Sequence, residues 1–130
     1  MAKPFTESEL KTIAAQLRCP SGEDGQEMGD AMHKRNISMT RAAFSSLQAE
    51  AGNRILELGH GSARHVPELL SQADDLNYCG IDISDTMHHT AKSVNADLIA
   101  QEAAQFELYD GVHLPLANGT FNRVFTVNTI

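Results

Sequence analysis

The chain has 130 residues, with 10 Lys and Arg against 17 Asp and Glu, so its formal net charge is −7. This length leaves room for one domain, and 42% hydrophobic with 21% charged residues is typical of a folded protein rather than a disordered one. The acidic balance disfavours nucleic acid and anionic membranes as partners, because both would be approached through a negative field. With apolar runs far shorter than the ~18 residues of a membrane span and no signal-peptide core, we expect a cytoplasmic protein. Cys19 and Cys79 allow at most one disulfide, which excludes a disulfide scaffold.

The first part of the chain, residues 1–52, shows apolar residues at helical spacing and no strand pattern. Gly25 and Gly29 weaken the second of three predicted helices, because glycine costs backbone entropy in a helix. We therefore expect a helical N-terminal cap with a mobile second segment. The predicted helices cover residues 6–19, a segment that starts at Ser21, and Thr40 to Glu50.

In residues 53–130, short apolar runs alternate with helical segments, which predicts a parallel sheet with right-handed crossovers. The sequence stops directly after the fourth run, whereas open sheets of this kind usually have more strands, so we expect a partial domain. The predicted strands are Arg54 to Leu58, Asn77 to Ile81, Phe106 to Tyr109 and Arg123 to Val127. The predicted helices start near Ala63 and at Ser84, the second with a stripe of Met87, Ala91, Val94 and Leu98.

A glycine-containing loop follows the first strand, in the run Glu57-Leu58-Gly59-His60-Gly61-Ser62-Ala63. Glycine permits positive φ and lets a ligand approach the bare backbone, so the loop is typical of a nucleotide-type site. A dinucleotide fingerprint would need a third glycine where Arg64 stands, which disfavours pyrophosphate. Glu57 beside the glycines favours a ligand with an ammonium group, and S-adenosylmethionine carries that charge pattern.

Two further acidic residues follow predicted strands. Asp82 closes the second strand about 20 positions after the loop, the offset at which a carboxylate binds ribose hydroxyls. Asp110 closes the third strand and could accept a hydrogen bond from an adenine amino group, although Asp110-Gly111 could equally be a simple turn. All three acids lie at carboxyl ends of parallel strands, where open α/β sheets bind ligands.

The six histidines do not predict a metal site. His60 and His65 are five positions apart and His88 is adjacent to His89, so neither pair has the spacing of two ligands on one helix. We expect these histidines to be at the surface or at helix caps, and no metal to be bound.

The order of three motifs, ILELGHGSA, YCGIDIS and YDGVHLPLANGTFNRVFTVNTI, resembles class I S-adenosylmethionine-dependent methyltransferases, especially small-molecule enzymes of the ubiquinone/menaquinone-biosynthesis type. The resemblance covers about residues 53–130. It implies a Rossmann-like sheet in the order 3-2-1-4, with strands five to seven apparently missing, and a helical cap on the substrate side. It also implies a small-molecule methyl acceptor, whereas no catalytic residue can be named. The implied cofactor-binding residues are Glu57, Gly59, His60 and Gly61 at the methionine end, Asp82 at the ribose, Ile83 and Met87 beside adenine, Asp110 and Gly111 at the adenine edge, and Asn128 near the transferred methyl.

Two alternatives stay open at this point. One is a nucleotide-binding oxidoreductase domain, which Arg64 and Glu57 disfavour. The other is a non-catalytic module that associates, for example as a homodimer, through the open edge of the fourth strand, because unpaired edges invite strand addition.

Overall fold

The described residues, 4–127 of a computed structural model, contain one four-stranded parallel sheet. Its strands are β1 (Arg54–Leu58), β2 (Asn77–Asp82), β3 (Ala104–Leu108) and β4 (Arg123–Thr126). They lie in the order β3-β2-β1-β4, and every neighbouring pair is parallel. The predicted Rossmann-like order is confirmed, since β2 and β3 lie on one side of β1 and β4 on the other.

Five helices accompany these strands in residues 4–127. None of them is long and apolar enough to cross a membrane. They are α1 (Glu7–Arg18), α2 (Gly22–Leu47), α3 (Val66–Leu70), α4 (Asp85–Val94) and α5 (Ala96–Ala100). The capping box predicted for α1 is present, with the Glu9 N–H donating to Oγ1 of Thr6 and the Thr6 N–H donating to the Glu9 carboxylate.

The prediction of separate second and third helices is wrong, because α2 is one helix of 26 residues. The two glycines that weakened it are buried contact points. A Cβ at Gly29 would lie 2.6 Å from Sδ of Met87, and one at Gly25 would lie 2.8 Å from the carbonyl carbon of Pro20. Tertiary packing therefore outweighs the low helix propensity of glycine here.

The helix predicted to start at Ser84 and to carry Leu98 in its apolar stripe is divided into α4 and α5 at Asn95. Asn95 is buried, and its side-chain amide donates to the carbonyls of Ala63 and Ala91, both at 3.0 Å. This side chain fastens the end of α4 to the glycine loop. The break between α4 and α5 thus places Asn95 where it makes these two hydrogen bonds, which the apolar stripe in the sequence does not predict.

The core lies on both faces of the sheet. The larger cluster packs Phe44 of α2 and Leu69 of α3 against one face, which also carries Tyr78 and Phe125. The smaller cluster, on the other face, contains Leu56, Cys79 and Ile81. Both cysteines are free thiols.

The N-terminal helices are fastened to the start of α4. The Ser84 hydroxyl donates to the carbonyl of Pro20, and the Gly22 N–H donates to Oγ1 of Thr86 at 3.0 Å. Together with the contact of Gly29 on Met87, these bonds hold the turn between α1 and α2 above the carboxyl end of β2. The N-terminal helices therefore form one wall of the space at the carboxyl end of the sheet.

Candidate functional site

An open cavity of about 310 Å³ lies at the carboxyl ends of the strands, between the sheet and the N-terminal helices. Of the ten predicted cofactor-binding residues, eight line this cavity and Asp110 does not, while Asn128 lies outside the described residues. The eight are Glu57, Gly59, His60, Gly61, Asp82, Ile83, Met87 and Gly111. Residues from three separate motifs are thus brought to one place, as the carboxyl-end rule for parallel sheets requires.

The loop after β1 has the conformation for which its glycines were singled out. Gly59 and Gly61 have φ values of 73° and 59°, in the left-handed region that side chains avoid. Ala63 also has a positive φ, 57°, and its methyl group is buried. A backbone conformation that favours glycine is therefore occupied here by the residue with the next smallest side chain. The loop exposes backbone to the cavity, which is what close approach of a ligand needs.

Asp82 joins this loop to the next strand. The Gly61 N–H donates to its Oδ2 at 3.0 Å, and the Ser84 N–H donates to its Oδ1 at 2.9 Å. A carboxylate offers about four acceptor positions, so roughly two remain for a ligand. Asp82 is buried yet lines the cavity, and hydroxyl donors can complete its hydrogen bonding.

Glu57 is almost completely buried, with 2% of its surface exposed. The Tyr78 hydroxyl donates to its Oε1 at 2.7 Å, and Nε2 of His65 lies 2.6 Å from the same oxygen. Burial, and after it the nearby Glu57, raise the pKa of Tyr78 well above its usual value, so the phenol remains a donor. Neither partner of this carboxylate was predicted from the sequence.

The expectation of surface or cap histidines is wrong for His60, which is 3% exposed. His65 does stand at a cap, the N-cap position of α3, but it is buried and its side chain makes no capping hydrogen bond. Nδ1 of His60 lies 2.7 Å from the carbonyl of Gly61, so it donates to the loop, and its ring packs edge-on against Phe106. Burial lowers the pKa of His60, which keeps the ring neutral near pH 7. Within residues 4–127, no group of three or more His, Cys, Asp or Glu residues could hold a metal ion.

Asp110 is exposed and occupied by its own turn. Its Oδ1 accepts from the N–H groups of Val112 and His113 at 2.8 and 2.7 Å, and its Oδ2 lies 2.7 Å from Nδ1 of His113. The bond to the His113 side chain, and after it the backbone bonds, lower the pKa of Asp110 to about 2. Its neighbours Tyr109 and Gly111 line the cavity instead.

The N-terminal helices contribute a polar face that the sequence analysis did not identify. His33, Asn36 and Thr40 of α2 line the cavity, at the spacing of one helix face. Arg18 of α1 lies on the same side. Burial is the main cause that lowers the pKa of His33. The signal was present in the sequence as a polar stripe at i, i+3 and i+7 beside an apolar one.

Fold and site together define a Rossmann-like domain with an open cavity at the carboxyl ends of its strands. Residues 55–130 match the family model described as "Methyltransferase domain", and the chain belongs to this family. An O-methyltransferase of Pyrenophora dematioidea is 23% identical over 108 residues, 83% of this chain and 40% of that protein.

Two solved structures show the same fold. A chain from a complex that contains a Haloferax volcanii methyltransferase activator aligns at 20% identity with a TM-score of 0.65, over 75% of this chain and 42% of that one. A Thiobacillus denitrificans S-adenosylmethionine-dependent methyltransferase, solved with S-adenosylhomocysteine, aligns at 19% identity with a TM-score of 0.55, over 98% of this chain and 45% of that one. The chain thus spans less than half the length of each of these relatives.

Proposed function

We propose that this chain is the cofactor-binding part of an S-adenosylmethionine-dependent methyltransferase that acts on a small molecule. The observation that carries the proposal is the joint position of Glu57, the Gly59–Gly61 loop and Asp82 around one cavity. Two carboxylates beside a glycine loop suit a ligand that carries both an ammonium group and ribose hydroxyls. Membership of the methyltransferase domain family supports the same conclusion.

The residues present fit this cofactor. Glu57 would bind the ammonium group, the loop would lie along the amino-acid part, and Asp82 would accept from the ribose hydroxyls with the positions that Gly61 and Ser84 leave unused. Ile83 and Met87 would flank the adenine. Gly111 would border the adenine edge, with Asp110 holding the turn that presents it, and Asn128 would lie near the transferred methyl.

The cofactor supplies an electrophilic methyl group on a positively charged sulfur. The protein contributes proximity and alignment for in-line displacement, because the acceptor must approach the methyl from the side opposite the sulfur. A general base is needed only where the acceptor loses a proton. His33, kept neutral by the burial that lowers its pKa, is a group on the cap side that could accept one.

We place the acceptor between the loop and α2, beside His33, Asn36 and Thr40. These polar side chains suit a small acceptor with hydrogen-bonding groups, and the cavity is the size of small-molecule sites. In this account residues 1–52 form the substrate-side cap and residues 53–130 the cofactor-binding part.

A second candidate function is association of two copies through β4. Within residues 4–127, β4 pairs with β1 on one edge and with no strand on the other. Val124 on this strand is 58% exposed, beside a groove lined by Leu47 and Phe125. An exposed edge with apolar side chains favours strand addition.

Titration calorimetry with S-adenosylhomocysteine and with NAD tests the first proposal against an oxidoreductase domain. We expect the 130-residue chain to bind S-adenosylhomocysteine and not NAD, because Arg64 replaces the glycine of a dinucleotide loop and its side chain pairs with Asp30 at 2.7 Å. Binding of NAD alone would refute the proposal.

A further inference from the structure

Glu57 is held by two donors that both use the same oxygen. Tyr78 Oη and His65 Nε2 lie 2.7 and 2.6 Å from Oε1, and because a carboxylate only accepts, both groups donate. No hydrogen bond between Oε2 and another group of residues 4–127 accompanies them. Two bonds to one oxygen therefore hold the carboxylate in one orientation. Among the described residues Oε2 has no donor, and Glu57 lines the cavity.

Both donors are themselves held in place. The ring of Tyr78 lies over Gly80, where a Cβ would be 2.7 Å from Oη, and packs against Phe106 at 5.6 Å between ring centroids. His65 packs against Phe44 at 5.9 Å and stacks with His33 at 6.5 Å. Glycine at position 80 is thus what lets Tyr78 cross from β2 to the end of β1. Neither donor can follow Glu57 if the carboxylate rotates.

We infer that Tyr78 and His65 are positioning residues that direct Oε2 of Glu57 toward the ammonium group of the cofactor. A buried carboxylate without these donors would turn to form hydrogen bonds elsewhere, and that would move Oε2 away from the position that the ammonium group needs. Hydrogen bonds from two fixed donors hold the Glu57 carboxylate in one orientation. This inference rests on the proposed function, and it adds two residues that act through Glu57.

Comparing two ligands in calorimetry separates positioning from general stability. S-adenosylhomocysteine carries the ammonium group, whereas methylthioadenosine has the same nucleoside and sulfur without the amino-acid part. In the 130-residue chain we expect Tyr78→Phe to weaken S-adenosylhomocysteine binding about tenfold, the scale of one charge-assisted hydrogen bond, and to leave methylthioadenosine binding unchanged. Equal losses for both ligands, or no loss for either, would overturn the inference.

A second pair of variants applies the same test at His65. His65→Leu should reduce the preference for S-adenosylhomocysteine over methylthioadenosine, and His65→Gln, which keeps an N–H donor, should restore much of it. Ala104→Gly is the matched control, because Ala104 is buried and pairs with Tyr78 in the register but lies two strands from Glu57. This variant should prefer S-adenosylhomocysteine over methylthioadenosine as strongly as the wild type does. Failure of His65→Gln to exceed His65→Leu would overturn the role of His65. If the wild type binds neither ligand, the proposed function fails and this inference with it.

Discussion

The backbone N–H of Gly61 donates a 3.0 Å hydrogen bond to Oδ2 of Asp82. This bond connects the glycine loop after β1 to the end of β2, so the two motifs act as one unit. A carboxylate that orders the loop and also faces the cavity affects a ligand in two ways. Removing the Asp82 carboxylate should therefore weaken ligand binding more than removing a single hydrogen bond to the ligand.

We expect Asp82→Ala to weaken S-adenosylhomocysteine binding by more than tenfold and Asp110→Ala by much less. Asp82 would lose both the loop bond and the ribose bonds, and hydrogen bonds to a charged group contribute about 1.5–3 kcal/mol each. Asp110 is exposed and bonded within its own turn. Titration calorimetry measures both, and equal or reversed losses would contradict the ribose role of Asp82.

Gly29→Ala should reduce cofactor affinity severalfold without lowering thermal stability. Alanine in a helix interior stabilises the folded protein by about 0.5–1 kcal/mol relative to glycine. The new Cβ, however, would lie 2.6 Å from Sδ of the buried Met87. Met87 then has to move, and it lines the cavity. Calorimetry and a thermal melt would measure the two effects.

The control for this variant is Ser45→Ala, an alanine substitution at an exposed position of the same helix. It should leave affinity unchanged. Unaltered affinity in Gly29→Ala would show that Met87 has room to move away from the ligand.

Asp110 should titrate at about pH 2, below its usual value of 3.8, because its carboxylate accepts from the His113 side chain and from backbone N–H groups. A depressed pKa in the folded state means that the stabilisation is present above pH 3.8 and is lost as the pH falls through about 2. In His113→Ala the midpoint should rise toward 3.8, since the largest cause is removed. Carboxyl NMR titration measures this, and an unchanged midpoint would contradict the pairing.

Self-association through β4 should depend on Val124. Lysine on an exposed edge strand opposes strand addition, so Val124→Lys should convert a dimer of the 130-residue chain into a monomer. Val112→Lys makes the same change at a loop residue that is 77% exposed, and should leave the dimer intact. Sedimentation equilibrium distinguishes these outcomes. A wild-type monomer at all concentrations would refute the edge interface.

The sequence predicted the sheet because its strands read as short apolar runs between turn residues, most clearly in β1 and β2, which are buried on both faces. It predicted eight cavity residues because glycine loops and acids at strand ends have recognisable spacing. It did not predict Tyr78 as the partner of Glu57. That contact depends on the register, which places Gly80 beside Glu57 and lets a side chain two residues earlier reach across.

The length of α2 and the burial of the histidines were missed for a related reason. Propensity counts Gly25 and Gly29 as weak points, whereas the fold uses them as contact points with Pro20 and Met87. His65 is buried against a partner that tertiary structure supplies, the Glu57 carboxylate, whereas His60 pairs with the carbonyl of the next residue, Gly61, and packs against Phe106.

A crystal structure of the 130-residue chain with S-adenosylhomocysteine tests the central proposal most directly. We predict the ribose hydroxyls within hydrogen-bond distance of Asp82, the ammonium group at Oε2 of Glu57, and the adenine between Ile83 and Met87. A ligand bound outside this cavity, or one with its amino group away from Glu57, would contradict the account.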